Sequence, residues 1–171
     1  MSMQVSTGDR IEGVRAEWAR ERPDLDTSPM AVIGRILRAE RLASGPIKGV
    51  LGRYGLDRGG FDVLATLRRS GPPYRLTPTR LFQELVLTSG AMTHRVDALE
   101  RDGLVERVGA LRDRRSTLVA LTAKGKTVTD QAMTAHMAGE QAMLTALPDA
   151  ERELLAALLG KLLAGMEADH D

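Results

Sequence analysis

The sequence predicts a mainly α-helical chain with one short β-ribbon. Three observations point there. Alanine and leucine are abundant while aromatic residues number only five, a balance that suits helices better than sheets. Residues 76–122 read as helix, short turn, helix, and then a two-stranded ribbon with a charged tip. After Pro148, leucines recur at near four-residue spacing, the mark of a wide apolar helix face. At 171 residues the chain is one domain of ordinary size, or one protomer of something larger.

Charge and composition exclude several classes. Net charge is only +1, but its distribution is uneven: residues 130–171 hold two basic and eight acidic side chains, and the basic excess lies before them. There is no cysteine, which removes disulfides, thiol nucleophiles and thiol-based redox sensing. No apolar run approaches membrane length and the N-terminus lacks a signal core, so a soluble, cytoplasmic protein with no membrane association is expected. Phosphate-binding loop, zinc-protease and nucleophile-elbow motifs are absent. The three histidines are scattered, so neither a metal site nor a cofactor is expected, and the chain is not expected to be an enzyme.

Taken in order, Asp9 to Arg20 forms a short helix with Ile11, Val14 and Trp18 on one face. Pro23 ends it, and Thr27 or Ser28 with Pro29 starts the next. That helix runs to about Tyr54. Its inner face is marked by Val32, Ile33, Ile36 and Leu37, then Ile47, Val50 and Leu51, and Gly45-Pro46 predicts a kink rather than two helices. A third helix spans Asp57 or Arg58 to Ser70 with Phe61, Leu64 and Leu67 inward. Gly71-Pro72-Pro73 turns the chain. Thr77-Pro78 opens a fourth helix, a hydroxyl cap followed by a proline whose missing N–H costs nothing there; Leu81, Phe82 and Leu85 form its apolar side.

Thr88 or Ser89 caps a fifth helix, which Gly103 ends. At about 100° per residue, Met92, Val96 and Leu99 fall together and face the core. Gly90, Thr93, His94, Asp97 and Arg101 lie opposite, while Arg95 flanks the buried stripe and points back at the body. Short polar groups on an outer face suit entry into a DNA major groove; they also suit an ordinary surface helix. The ribbon favours the first. Leu104, Val105 and Val108 supply one strand and residues 117–121 the other. Between them Arg112, Arg114 and Arg115, with Asp113 among them, sit at a loop tip that fits a phosphate backbone or a narrow minor groove. The expected DNA contacts are Ser89, Thr93, His94 and Asp97 near bases, Arg101 on phosphate, and the Arg112–Arg115 loop as a wing.

The closing helices follow. Ala123 to about Ala146 places Val128, Ala132 and Ala135 on one stripe. The final helix carries Leu154, Leu155, Leu158, Leu159, Leu162, Leu163 and Met166, a face that needs a partner, and a two-fold dimer is the expected one.

Residues 76–122, with SGAMTHRVDALERDGLVER, Asp113-Arg114-Arg115 and then LVALTAKGK, resemble the winged helix-turn-helix of the MarR (multiple antibiotic resistance regulator) family. The resemblance covers roughly residues 29–166. It implies a mainly α fold with long N- and C-terminal dimerisation helices and a two-stranded β-wing. In domain terms, residues 1–28 form an added helix and linker, 29–56 and 123–171 the dimerisation helices, and 57–122 the DNA-binding lobe. A tryptophan-bearing added helix, the segment ERPDLD and then FDVLATLRR are similar to the PecS/UrtR branch, repressors relieved by urate and related purines such as xanthine. That resemblance implies a ligand-responsive set of Trp18, Asp62, Arg69 and Arg95. The residues suit the roles: a flat ring for stacking, an arginine for an oxopurine anion, and a carboxylate that such an anion displaces toward Arg95. Plainer readings stand beside these, with Trp18 as a packing anchor, Asp62 paired to Arg58 one turn earlier, and Arg69 solvated. The expected function is a dimeric repressor that binds a pseudo-palindromic operator in double-stranded DNA. The alternatives are a regulator answering phenolic or aromatic carboxylate ligands, and a ligand-independent architectural DNA binder.

Overall fold

The computed structural model describes residues 9–85, 92–109 and 117–168. Its elements in order are α1 (Arg10–Glu21), α2 (Ser28–Gly52), α3 (Arg58–Arg69), β1 (Arg75–Leu76), α4 (Pro78–Glu84), α5 (Met92–Arg101), β2 (Val105–Gly109), β3 (Thr117–Leu121), α6 (Ala123–Met143) and α7 (Asp149–Ala168). The chain divides into two compact units, residues 1–46 and 47–171. α2 continues through Pro46 as a single helix.

In the first unit, Asp9 caps α1 by accepting the Ile11 N–H at 2.9 Å. The Asp9 carboxylate also binds Arg35 of α2 at 2.7 Å. The Arg35 bond foremost, and then the cap, hold its pKa below the ordinary carboxylate value. Arg15 reaches the Thr27 carbonyl at 3.1 Å. No residue of α1 is buried. Val32, Ile33 and Leu37, expected on an inner face, are exposed in the single chain; of the residues expected on that face, only Leu51, in the second unit, is fully buried. Helical spacing identifies a shared face, but burial requires another surface to cover it.

In the second unit, α3 packs against α6 and α5. Leu64, Leu67 and Val63 of α3 meet Leu81 of α4, Val96 and Leu99 of α5, and Val105 and Val119 of the sheet in one core. Asp57 caps α3 through the Gly60 N–H at 2.6 Å. Thr77 caps α4, with Pro78 in the first turn as expected. Phe82 is an exception on α4: it is exposed, so Leu81 alone anchors that short helix fully. Gly103, at φ 70°, terminates α5. There the Leu104 N–H donates to the Leu99 carbonyl at 2.9 Å and the Gly103 N–H to the Glu100 carbonyl at 3.0 Å, the paired bonds of a Schellman stop.

The sheet has three antiparallel strands, in order β1-β3-β2, rather than the two expected. β2 and β3 pair from Val105 with Leu121 to Gly109 with Thr117, and β1 adds two residues on the far edge of β3. A two-residue strand is too short to show an alternating pattern. At the sheet's end Thr122 caps α6 through the Gly125 N–H at 2.9 Å and donates to the Gly103 carbonyl at 2.7 Å. Gly125 is needed for close approach, since a Cβ there would overlap the Leu104 carbonyl oxygen. α7 buries no residue; Leu154, Leu155, Leu158, Leu163 and Met166 are all exposed.

Candidate nucleic-acid interface and effector residues

α5 presents the expected two faces. Val96 and Leu99 are buried, while Thr93, His94 and Arg101 are exposed. The side chain of Met92 and residues Ser89, Gly90, Arg112, Asp113, Arg114 and Arg115 lie outside the described residues. The wing strands leading to that loop are in place on either side of it.

Asp97, an expected DNA contact, has a partner on the ribbon. Its carboxylate is bound by the Arg107 guanidinium of β2, which also binds Glu100. The Arg107 backbone N–H donates to Glu100 Oε1 at 3.1 Å. Hydrogen bonding to Asp97 and the attraction of both carboxylates raise the Arg107 pKa. Asp97 therefore ties the helix to the ribbon, and its side chain stays 45% exposed. Lys124 closes the same corner from α6, donating to the Asp102 carbonyl at 2.7 Å. The one signal of Arg107 in the sequence is a cation in a strand that follows a helix with two outward acids.

Arg95 does turn toward the protein body. It is half-buried, and its guanidinium lies over Gly59 of α3, where a Cβ would collide with it. Asp62, one turn further along α3, is also half-buried. Burial raises the Asp62 pKa above the ordinary value, and the charges of Arg58, Arg95 and His136 partly oppose that rise. The carboxylate thus feels both the cation expected one turn earlier and the cation of α5.

His136 joins this cluster without any spacing signal in the sequence. Its ring meets Phe61 edge-on with centroids 5.0 Å apart, and its Nε2 is 3.1 Å from Glu140. Arg69 is exposed, and its guanidinium donates to the Glu84 carbonyl at the end of α4. Trp18, in the first unit, is 46% exposed.

A hollow of about 540 Å³ opens between α5 and the start of α3, lined by His94, Arg95 and Ala98 on one side and by Gly55, Asp57 and Gly60 on the other. Its groups offer hydrogen bonds and charge but no nucleophile–base pair. Among the described residues no three His, Cys, Asp or Glu side chains converge to hold a metal. No helix among them is long and apolar enough to cross a membrane.

A capped short helix, a second helix with an exposed polar face, and a hairpin locked to that helix by Arg107 define a winged helix-turn-helix. Comparison with known proteins places it more closely. The chain belongs to the MarR family of DNA-binding transcriptional regulators. A sequence model of that family matches residues 54–116. The chain is 35% identical over 152 residues to the HTH-type transcriptional regulator PecS of Dickeya dadantii, covering 89% of this chain and 92% of PecS. It is 30% identical over 117 residues to the HTH-type transcriptional repressor YetL of Bacillus subtilis, covering 68% and 70% of the two chains. Among solved structures, a mutant MarR from E. coli complexed with operator DNA superimposes with a TM-score of 0.67 at 26% identity, covering 81% of this chain and 99% of that one. AbsC of Streptomyces coelicolor, a MarR family regulator, gives a TM-score of 0.73 at 19% identity, covering 84% and 97%. These relatives are transcriptional regulators, not enzymes.

Proposed function

We propose that this chain is a cytoplasmic, homodimeric repressor that binds a pseudo-palindromic operator and releases it when urate or a related purine such as xanthine binds. The observation that carries the effector reading is the electrostatic link between half-buried Asp62 on α3 and Arg95 on α5. Arg95 belongs to the helix whose outer face carries Thr93 and His94. A ligand anion that changes the partner of Asp62 thereby changes the forces on that helix. The effector acts only through the difference in its affinity for the DNA-competent and DNA-incompetent states.

Several further points support the scheme. Similarity to PecS extends over most of the chain. The exposed leucines of α7 and the apolar residues at the start of α2 need cover, which a second copy supplies. In this dimer residues 57–122 form the DNA-binding lobe, 29–56 and 123–171 the dimerisation helices, and 1–28 an added element. The wing loop from Arg112 to Arg115 reaches the backbone or minor groove, and Arg101 contacts phosphate.

One observation favours a second reading. Arg69 is engaged with the Glu84 carbonyl, so a purine must compete for it. An aromatic carboxylate effector that leaves Arg69 in place avoids that cost. BpsR of Bordetella bronchiseptica, a structural neighbour at 22% identity with a TM-score of 0.66, is regulated by 6-hydroxynicotinic acid.

The test is a titration of the DNA upstream of the protein's own gene at fixed salt, alone, with urate and with salicylate. Specific binding weakened by urate but not salicylate supports the purine reading. Weakening by salicylate alone supports the second. Binding of weak sequence preference, indifferent to both, makes the chain an architectural DNA binder.

A further inference from the structure

The first turn of α3 carries two adjacent glycines, Gly59 and Gly60, soon after the Asp57 cap. Glycine is among the poorest helix formers, so a helix that opens on two of them gives up local stability. Both glycines face α5. A Cβ on Gly60 would stand 3.5 Å from the Leu99 side chain, an ordinary contact. A Cβ on Gly59 would overlap Arg95 Nε and lie 2.6 Å from Arg95 Cζ, far inside contact distance. Arg95 and Leu99 are one turn apart on α5, so one face of that helix meets both glycines. The Arg95 guanidinium thus fills the place where any other residue at position 59 would put its side chain.

Charge makes this seat a poor one for a cation left alone. The N-terminal end of a helix carries a partial positive charge and favours anions. Arg58 adds a second cation to the same turn. Two carboxylates oppose them. Asp57 accepts the Gly60 N–H at 2.6 Å, and the Asp62 carboxylate attracts both Arg58 and Arg95. Gly59 therefore opens the seat sterically, and the carboxylates hold Arg95 in it. The hollow of about 540 Å³ that Arg95 also lines gives this long, flexible side chain room to leave.

We propose that Gly59 is a positioning residue for operator binding: the seat it leaves open holds Arg95, and with it α5, in the placement that reads DNA, and operator release empties the seat. The proposal rests on the operator reading and not on which effector acts. It adds a steric condition to the attraction between Asp62 and Arg95. Opposite charges at those two positions suffice only while residue 59 has no side chain.

The experiment uses the full chain and a double-mutant cycle between positions 59 and 95, read as operator affinity without effector. Gly59→Ala adds one methyl group and keeps every charge. It should weaken operator binding at least about tenfold, while the melting temperature stays level or rises because alanine suits a helix better. Arg95→Ala empties the seat by another route and should weaken binding to a similar extent. In the Arg95→Ala background the added methyl group has nothing to displace, and it should change operator affinity by less than about twofold.

Full operator affinity in Gly59→Ala overturns the proposal. So does an equal loss from the methyl group in both backgrounds, since it then acts on α3 and not through Arg95. A melting temperature that falls in Gly59→Ala and recovers when Arg95→Ala is added also overturns it, because Arg95 then stays in place and strains the fold. If the natural chain binds the DNA upstream of its own gene no better than random DNA, the operator reading fails, and the proposal fails with it.

Discussion

The Arg107 guanidinium of β2 binds the Asp97 carboxylate of α5, and with Glu100 it fastens the ribbon to that helix. Side-chain bonds therefore join the ribbon to α5. The pair is about one-third to one-half exposed, so screening limits its worth to about 1 kcal/mol or less. Arg107→Gln should lower unfolding stability by that amount, measured by denaturant titration. It should weaken operator binding by about fivefold, the same energy expressed as affinity. Unchanged operator affinity in Arg107→Gln, with a changed base preference in Asp97→Ala, would return Asp97 to base reading.

Gly125 sits where a side chain cannot. In an unconstrained helix, Gly→Ala stabilises by up to about 1 kcal/mol. Here the added Cβ would overlap the Leu104 carbonyl oxygen, and overpacking of this kind costs about 1–3 kcal/mol. Gly125→Ala should therefore lower the melting temperature, and a rise would contradict the close approach of α6 to the wing.

Asp62 makes stability depend on pH in a defined direction. Burial raises its folded pKa above 3.8, against the partial opposition of Arg58, Arg95 and His136. The folded chain therefore holds the Asp62 proton more tightly than the unfolded chain does. The stabilisation from this group is complete below the unfolded pKa and is lost as pH rises through the folded pKa. At neutral pH the ionised carboxylate is a net cost. Asp62→Asn should stabilise the chain at neutral pH, and its advantage should shrink as the pH falls through the folded pKa of Asp62. An advantage that grows on acidification would contradict this assignment.

The wing arginines are expected to meet phosphate. Arg114→Gln should weaken binding to all DNA sequences alike and reduce the slope of log affinity against log salt by about 0.9. An unchanged slope would place Arg114 off the backbone.

Much of the architecture was legible in local chemistry. Asp57, Thr77 and Gly103 mark helix ends by residue type alone, and the structure uses all three for that purpose. Val96 and Leu99 were placed in the core by angle, and they are there. Arg95 was turned inward by the same argument, and it lies over Gly59. The misreadings share one physical origin. Phe82, Val32 and Leu37 sit on apolar faces, but whether such a face is buried depends on what packs against it. Contacts distant in sequence were invisible for a related reason. Nothing in local spacing joins His136 to Phe61, Arg107 to Asp97, or Arg69 to the Glu84 carbonyl. Those bonds exist only once helices and strands are brought together. β1 escaped notice because two residues carry no periodicity.

Transmission from Asp62 to the recognition helix can be measured by a double-mutant cycle on effector response. Operator affinity would be compared with and without urate for the natural chain, Asp62→Ala, Arg95→Ala and the double variant. Urate is expected to weaken binding by the natural chain, and either single substitution to abolish most of that weakening. The double variant should respond no less than the singles. Full urate response in either single variant, or none in the natural chain, would contradict the link between Asp62 and Arg95.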